Sequence, residues 1–408
     1  MRSEAPLDPA RYRRLLLVCC LVVFGCYFGT YMRLPIVPLY ARSLGAGTVQ
    51  VGIINAAFLL MAGSLSLPLG LLADRLSMKF LAAAGVLLLA GTSFLLSFSR
   101  TPEQIVWIYL ISGVGLAAFG PTIMAFVANF SPPTHLGRSY GWYTTALYTG
   151  MSLGPAVGGF VAQGLGFPMV FFLAGASIFL TFWVLFFFLP RARQVLGARP
   201  QPLPLSLGLV RELARNNPLL GTWLATLGAC FGLGMFLTYL PLYAHDQGLS
   251  YGQIGLVFAT QGLVNAVSRI PFGHLSDRLR RRSLLVVVGL LGLALSLAGY
   301  GLSHRVSQFL IWTVVLGASM GLAFTSIGAL TAEAASPELR GLAMGGYNAA
   351  IYLGMMLSSA FMGPVIQRLG FAGGFFLTTL INLLVAGGFY LLAKDFSPGR
   401  GQPPPEAV

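Results

Sequence analysis

Two arginines, Arg33 and Arg269, stand inside long apolar stretches of this 408-residue chain, and no carboxylate stands with them. A charge held near the middle of a bilayer costs about 2.5–3.5 kcal/mol even on insertion scales, so such residues are kept for binding, pairing or a pathway. The eleven acids are Glu4, Asp8, Asp74, Glu103, Glu212, Asp246, Asp277, Glu333, Glu338, Asp395 and Glu406, all at the ends of apolar stretches or between them. The four histidines (His135, His245, His274, His304) sit at such edges too. Proton exchange against a bound cation needs a titrating group where the cation sits. Here the buried charge is positive, which points to a neutral or anionic partner. Arg33 is either an anion clamp facing a cavity or a side chain snorkelling to the nearby stretch end. If protons are coupled, Glu333 is the candidate group; the other reading is a helix-end salt bridge.

Polar residues also recur at helical spacing: Gln261, Asn265, Ser268 and Arg269; Asn348, Tyr352, Met355 and Ser359; Thr145, Tyr148 and Ser152. Such stripes in apolar helices are either interhelical hydrogen bonds or the wall of a water-filled path. The substrate-contacting set expected on this basis is Arg33, Thr30, Asn55, Tyr148, Tyr239, Gln261, Asn265, Arg269, Asn348 and Tyr352. On a 3.6-residue period Cys26, Gly29, Thr30 and Arg33 share one small, polar face, with Tyr27 and Tyr31 turned elsewhere. Enzyme chemistry has no footing: there is no Gly-Lys-Ser/Thr phosphate loop, and Ser, His and Asp meet only in scattered loops. The four cysteines (Cys19, Cys20, Cys26, Cys230) lie in apolar stretches without metal-ligand spacing and read as inert packing. No metal, cofactor or nucleic-acid partner is expected.

The elements that must hold these residues follow from composition. Hydrophobic residues make up 56% of the chain and charged ones 9%, against about 25% charged in soluble domains. Apolar stretches fall at roughly 15–40, 49–73, 80–99, 104–129, 139–164, 168–190, 218–243, 252–275, 283–302, 306–333, 341–366 and 371–393, each able to cross about 30 Å of hydrocarbon. These are read as twelve spans. Backbone groups in lipid must be satisfied within the segment, so the spans are helices.

The net charge of +14 is placed as a membrane protein places it. Four basic residues (Arg42, Arg100, Arg305, Arg368) fall on one side, two within spans, and the rest on the side of the termini and the central loop. That bias puts both termini in the cytoplasm of a cell (cytoplasmic or inner) membrane. The first stretch resembles a signal peptide, but it is too long and its later partner is internal, so it reads as an uncleaved helix.

Shifted on itself by about 203 residues, the chain matches. Pro38-Leu39-Tyr40-Ala41 recurs as Pro241-Leu242-Tyr243-Ala244, and Gln50-Val51-Gly52 as Gln253-Ile254-Gly255. Tyr143, Tyr148 and Gly150 recur as Tyr347, Tyr352 and Gly354. The organisation is therefore a six-span unit over 1–190, a linker over 191–217 that is basic and Pro-rich, a second unit over 218–396 and a tail over 397–408.

Gly70 to Lys79, between spans two and three, resembles the loop signature G-x-L-a-D-R-x-G-R-K of the major facilitator superfamily, and Gly273 to Arg282 is its second copy. Ser77 and Met78 depart from the pattern. The resemblance covers residues 10–395. It implies an all-α polytopic membrane protein of twelve transmembrane helices in two pseudo-symmetric six-helix bundles. It also implies that Gly70, Asp74, Arg75, Gly273, Asp277 and Arg278 latch the bundles when the carrier opens outward. Gly150, Gly154, Pro155, Gly158 and Gly159 look like the span-five motif of the drug/proton antiporter branch, linked there to export and to sealing against leak. The second half keeps Gly354, Ser358, Ser359 and Gly363 without the proline, so the copy reads as eroded. Where that branch carries an arginine before Gly113-Val114-Gly115, this chain has Tyr109.

The expected function is secondary export of small neutral or anionic amphiphiles by alternating access, as a monomer, with proton antiport as a possible drive. The alternatives are an importer or exchanger of organic anions using Arg33, and a lipid-handling carrier.

Overall fold

Helices carry all the regular secondary structure in the computed structural model, which describes residues 9–75, 77–190, 213, 215–279, 281–336 and 339–393. The central loop over 191–212 and the C-terminal tail fall outside these residues, as do the side chains of Asp74, Arg75 and Asp277. Span one runs Pro9–Arg33 and, after a turn at Leu34 and Pro35, Ile36–Ser43. Spans two to six are Thr48–Arg75, Met78–Phe98, Pro102–Phe130, Leu136–Leu165 and Phe167–Phe188. Spans seven to ten are Asn217–Asp246, Tyr251–Arg278, Arg282–Gly301 and Val306–Ala334. Spans eleven and twelve form one run, Arg340–Ala393, broken at Gly370.

Among the described residues, nine of these helical runs, one of them the double run, are long and apolar enough to cross a membrane. Spans five and eight fall short. They carry two of the three polar stripes and pack against each other between the halves, so less of their surface has to satisfy lipid.

Each half is built the same way. Span one packs on five and six, two on four, and three on four and six; in the second half, eight packs on ten and nine on ten and twelve. The repeated sequence landmarks have repeated jobs. Tyr40 donates to the Ser99 carbonyl, tying span one to the end of span three. Tyr243, its copy, reaches the carbonyls of Gly301 and Ser303 at 3.2 Å at the end of span nine. The positive-φ residues among those described are Gly45 and Gly248, at 93° and 86°, and Gly166 and Gly370, at 81° and 73°. These are two repeat-related pairs. A residue with a Cβ is disfavoured at such angles, so each pair marks a turn both halves must make.

The halves meet along two seams, span two against eleven and span five against eight. Lipid supplies no hydrophobic drive between helices, so close backbone approach at small residues does the work. At the first seam a Cβ on Gly363 would lie 2.9 Å from the Thr48 carbonyl, and one on Gly52 would collide with Ser359 and Tyr239. At the second, a Cβ on Gly159 would stand 3.0 Å from Gly255 Cα while colliding with the Tyr251 carbonyl. Gly52 and Gly255 are repeat copies, and so are Gly159 and Gly363. The glycine that the second, proline-less copy of the span-five motif keeps at Gly363 is thus a seam glycine, as Gly159 is in the first half. Gly150, Gly154 and Gly158 serve a different partner, lying against the backbone of span one at Phe24, Phe28 and Met32.

Candidate substrate cavity

Between the halves lies a cavity of about 410 Å³, within the range of small-molecule sites. Its walls come from spans one, two, four, five, seven, eight, ten and eleven, and none from three, six, nine or twelve.

On the side away from the termini the cavity is closed. Thr48 Oγ1 donates to the Gly363 carbonyl at 3.0 Å, Gly252 N–H donates to Gln163 Oε1 at 3.2 Å, and Asn55 Nδ2 donates to Thr238 Oγ1 at 3.1 Å. Arg42 pairs with Asp246 at 2.7 Å across the rim. That pair is partly exposed, and exposed pairs are worth about 0.2–1 kcal/mol. Asp246→Asn is expected to change distal opening by less than about fivefold, an effect that shrinks with added salt. Labelling of Thr48→Cys by an impermeant maleimide would measure it.

Toward the termini the halves part. A Cβ on Gly70, Gly141 or Gly345 would meet nothing within 4 Å, and one on Gly273 would meet only Thr325 of its own half. Among the described residues, Gly70 and Gly273 thus make no close approach to the opposite half. Asp74, Arg75 and Asp277 have side chains outside the described residues, and Arg278 is exposed. The second loop is tied to its own half: Arg282 donates to the Ser276 carbonyl at 2.9 Å and pairs with Glu333 of span ten. Glu333 does not line the cavity.

Of the ten residues expected to meet substrate, Thr30, Asn55, Tyr148, Gln261, Asn265, Arg269, Asn348 and Tyr352 line the cavity. Arg33 and Tyr239 do not, and both placements correct the sequence reading. Arg33 turns into the first half, where Nη2 donates to Ser112 Oγ at 2.5 Å and the Tyr109 ring centroid lies 5.6 Å from the guanidinium carbon. A cation in this interior takes the hydroxyl and aromatic face that span four offers. Tyr239 is fully buried and donates to the Ser359 carbonyl at 2.5 Å, filling the closed seam, while its neighbour Thr238 faces the cavity.

The first span divides differently from its sequence pattern. Tyr27 and Tyr31 line the cavity, whereas Gly25 and Gly29 are covered by Thr181 and Ile178 of span six. Small residues let helices approach, so the small face packs and the aromatic face is left for the path. Sequence reasoning also missed Tyr347 and the methionines Met151 and Met320 in the wall, which Met355 of the span-eleven stripe joins. Tyr347 was already visible as the repeat of Tyr143; its position in the wall was not.

Arg269 is the single charged residue in the wall, and no carboxylate lines it among the described residues. Its Nε donates to Asn265 Oδ1 at 3.3 Å, and its guanidinium lies over the Tyr148 ring at 4.8 Å. Asn265 is one helical turn before it and Tyr148 belongs to the other half, so the planar group is held from two sides. Stacking on the ring and one bond at Nε leave the remaining N–H groups for an anion.

Comparison with known proteins agrees with this architecture. The family model of the Major Facilitator Superfamily matches residues 19–252 and 243–407. An uncharacterized MFS-type transporter of Methanocaldococcus jannaschii is 22% identical over 92% of this chain and 97% of its own length. The quinolone resistance protein NorA of Staphylococcus aureus is 26% identical over 61% of this chain and 64% of NorA. In fold, the chain is similar to an inward-facing bacterial homolog of the human lysosomal transporter Spinster, with a TM-score of 0.79, 15% identity and coverage of 95% of this chain and 98% of that one. The nucleoside transporter NupG gives a TM-score of 0.77 at 14% identity, covering 93% of this chain and 99% of that one. A duplicated six-span architecture around a central cavity, together with the family match over both halves, makes this chain a transporter of the Major Facilitator Superfamily.

Proposed function

We propose that this transporter exports small neutral or anionic amphiphiles across the cytoplasmic membrane by alternating access. The carrying observation is the cavity: walls of tyrosine, methionine and aliphatic side chains, with Arg269 as the lone charge and no carboxylate among the described lining residues. Apolar walls favour a ring or short chain, the amides of Gln261, Asn265 and Asn348 favour polar substituents, and the guanidinium favours a negative end. Lipophilic cations meet repulsion without a partner. With the terminal face taken as cytoplasmic from the Lys and Arg bias, the cavity stands open to the cytoplasm, ready to load an exported molecule. The glycine-proline motif of span five and the likeness to a quinolone resistance protein favour export.

A thermal-shift screen of the purified carrier tests this reading. Anionic and neutral aromatic amphiphiles are expected to raise the Tm by about 2–4 °C at saturating concentration. A lipophilic cation that stabilises more than its neutral or anionic analogues would overturn the charge preference. Inside-out vesicles that fail to accumulate a stabilising compound under any imposed ion gradient would overturn export.

The second reading, an importer or exchanger of organic anions, is favoured by one observation, the anion-ready Arg269 in the cavity. It differs from the first in direction, which counterflow from either side separates. Glu333 belongs to neither path, because Arg282 holds it at the terminal face. Glu333→Gln is expected to leave pH-driven flux within about fivefold, the scale of an exposed ion pair. Abolished pH dependence in proteoliposomes would return Glu333 to the coupling mechanism.

A further inference from the structure

Arg33 is a charge that the cavity does not contact and that no described carboxylate neutralises. Its side chain is 2% exposed. Nη2 is used by Ser112, and Tyr109 offers its ring face. Nη1 is buried with no hydrogen-bond partner. One helical turn earlier, Thr30 Oγ1 is also buried, with only the Cys26 thiol of its own helix interacting with it and no bond of good geometry. Residues three apart share a helix face, so the unpartnered cationic N–H and the Thr30 hydroxyl belong to one face of span one. Thr30 belongs to the cavity wall, which puts the pair where the packed interior meets the path.

A guanidinium does not lose its proton in proteins. Burial therefore cannot be relieved by neutralising Arg33 itself. Ser112 and Tyr109 contribute dipoles, not a counter-charge, and a buried charge left uncompensated is strongly destabilising. Water would fill the hydrogen bond at Nη1 without balancing the charge. A monoanion does both: it accepts from Nη1 and from the Thr30 hydroxyl and brings the local charge to zero. One guanidinium edge and one hydroxyl suit a small anion.

We propose that Arg33 and Thr30 form a site for one small monoanion, either a free halide or the anionic end of a bound substrate, at the inner wall of the cavity between spans one and four. The site is separate from Arg269, which lies on span eight.

The test compares the Tm of the purified full chain in nanodiscs in about 150 mM chloride, bromide or gluconate, at equal ionic strength. Chloride and bromide are expected to raise the Tm by about 2–5 °C over gluconate, saturably. The rise should vanish in Arg33→Gln and shrink in Thr30→Val, and persist in Arg269→Gln. Thr30→Val keeps the arginine and nearly the same volume, so it decides the matter if Arg33→Gln fails to fold. Benzoate in gluconate buffer is the second arm. Stabilisation by benzoate but not by halide, lost in Thr30→Val and kept in Arg269→Gln, would identify the occupant as a substrate's anionic end. Equal Tm in all four anions would overturn the site, as would a halide effect untouched by Thr30→Val. The halide arm reads binding to the resting protein and can fail while the export reading stands; only the benzoate arm rests on that reading.

Discussion

Replacing Gly159 with leucine will abolish transport while leaving the protein folded. In this closed-distal conformation the span-five backbone at Gly159 lies against Tyr251 and Gly255 of span eight, with no room for a Cβ. Forcing side-chain atoms into a filled contact costs about 1–3 kcal/mol. Because that cost falls on the closed seam and not on an open one, the distal equilibrium should shift toward open by about 5–150-fold. The bundles themselves are spared, since Gly159 faces the other half while Gly150, Gly154 and Gly158 face span one. The measurement pairs flux in proteoliposomes with maleimide labelling of Thr48→Cys from the distal side. Labelling should rise as flux falls. Gly164→Leu is the control, because a Cβ there meets nothing within 4 Å. A Gly159→Leu carrier with normal flux would mean that the seam does not have to close.

Arg269→Gln will separate substrates by charge. A hydrogen bond to a charged group is worth about 1.5–3 kcal/mol, so an anionic amphiphile should lose about 10–150-fold in kcat/KM. A neutral analogue, which uses the tyrosine and methionine walls, should lose less than about threefold. Arg269→Lys should restore only part of the anion's rate, because an ammonium neither stacks flat on Tyr148 nor offers paired N–H groups. Equal losses for both substrates would make Arg269 a strut between Tyr148 and Asn265 and remove it from recognition. Counterflow with a matched acid and amide is the direct assay.

Much of the architecture was legible because membranes restrict the choices. A bilayer demands helices of about 20 apolar residues, so the spans could be read directly from composition. The duplication was legible too, and the structure explains its landmarks. Gln-x-Gly recurs because each copy sets a glycine at an inter-bundle seam. Leu165-Gly166-Phe167 and Leu369-Gly370-Phe371 form a further repeated turn signal, passed over because a single glycine between apolar runs carries little weight by itself.

The site was legible only up to the rotation of each helix. Periodicity sorts residues into faces, but not by which neighbour a face will meet. In span one the small face and the tyrosine face were separated, but not which residues of each would meet the cavity: Tyr27, Tyr31 and Thr30 do, and Arg33 does not. The choice depended on span six, whose Ile178 and Thr181 cover Gly29 and Gly25. Thr238 and Tyr239 are adjacent and about 100° apart on the helix, and only packing against spans two and eleven decides which one faces the cavity.

The sequence by itself determined the membrane, the twelve helices, the two matched halves and the scarcity of charge between them, because hydrocarbon allows few alternatives. The tertiary structure decided which arginine reaches the path. Arg33 and Arg269 look alike in the chain, each a lone cation in an apolar run. Span four offers Arg33 a hydroxyl and a ring inside the first half, while Tyr148 of the opposite half holds Arg269 against the cavity. Those partners are distant in sequence or belong to the other half, and only the folded packing brings them together.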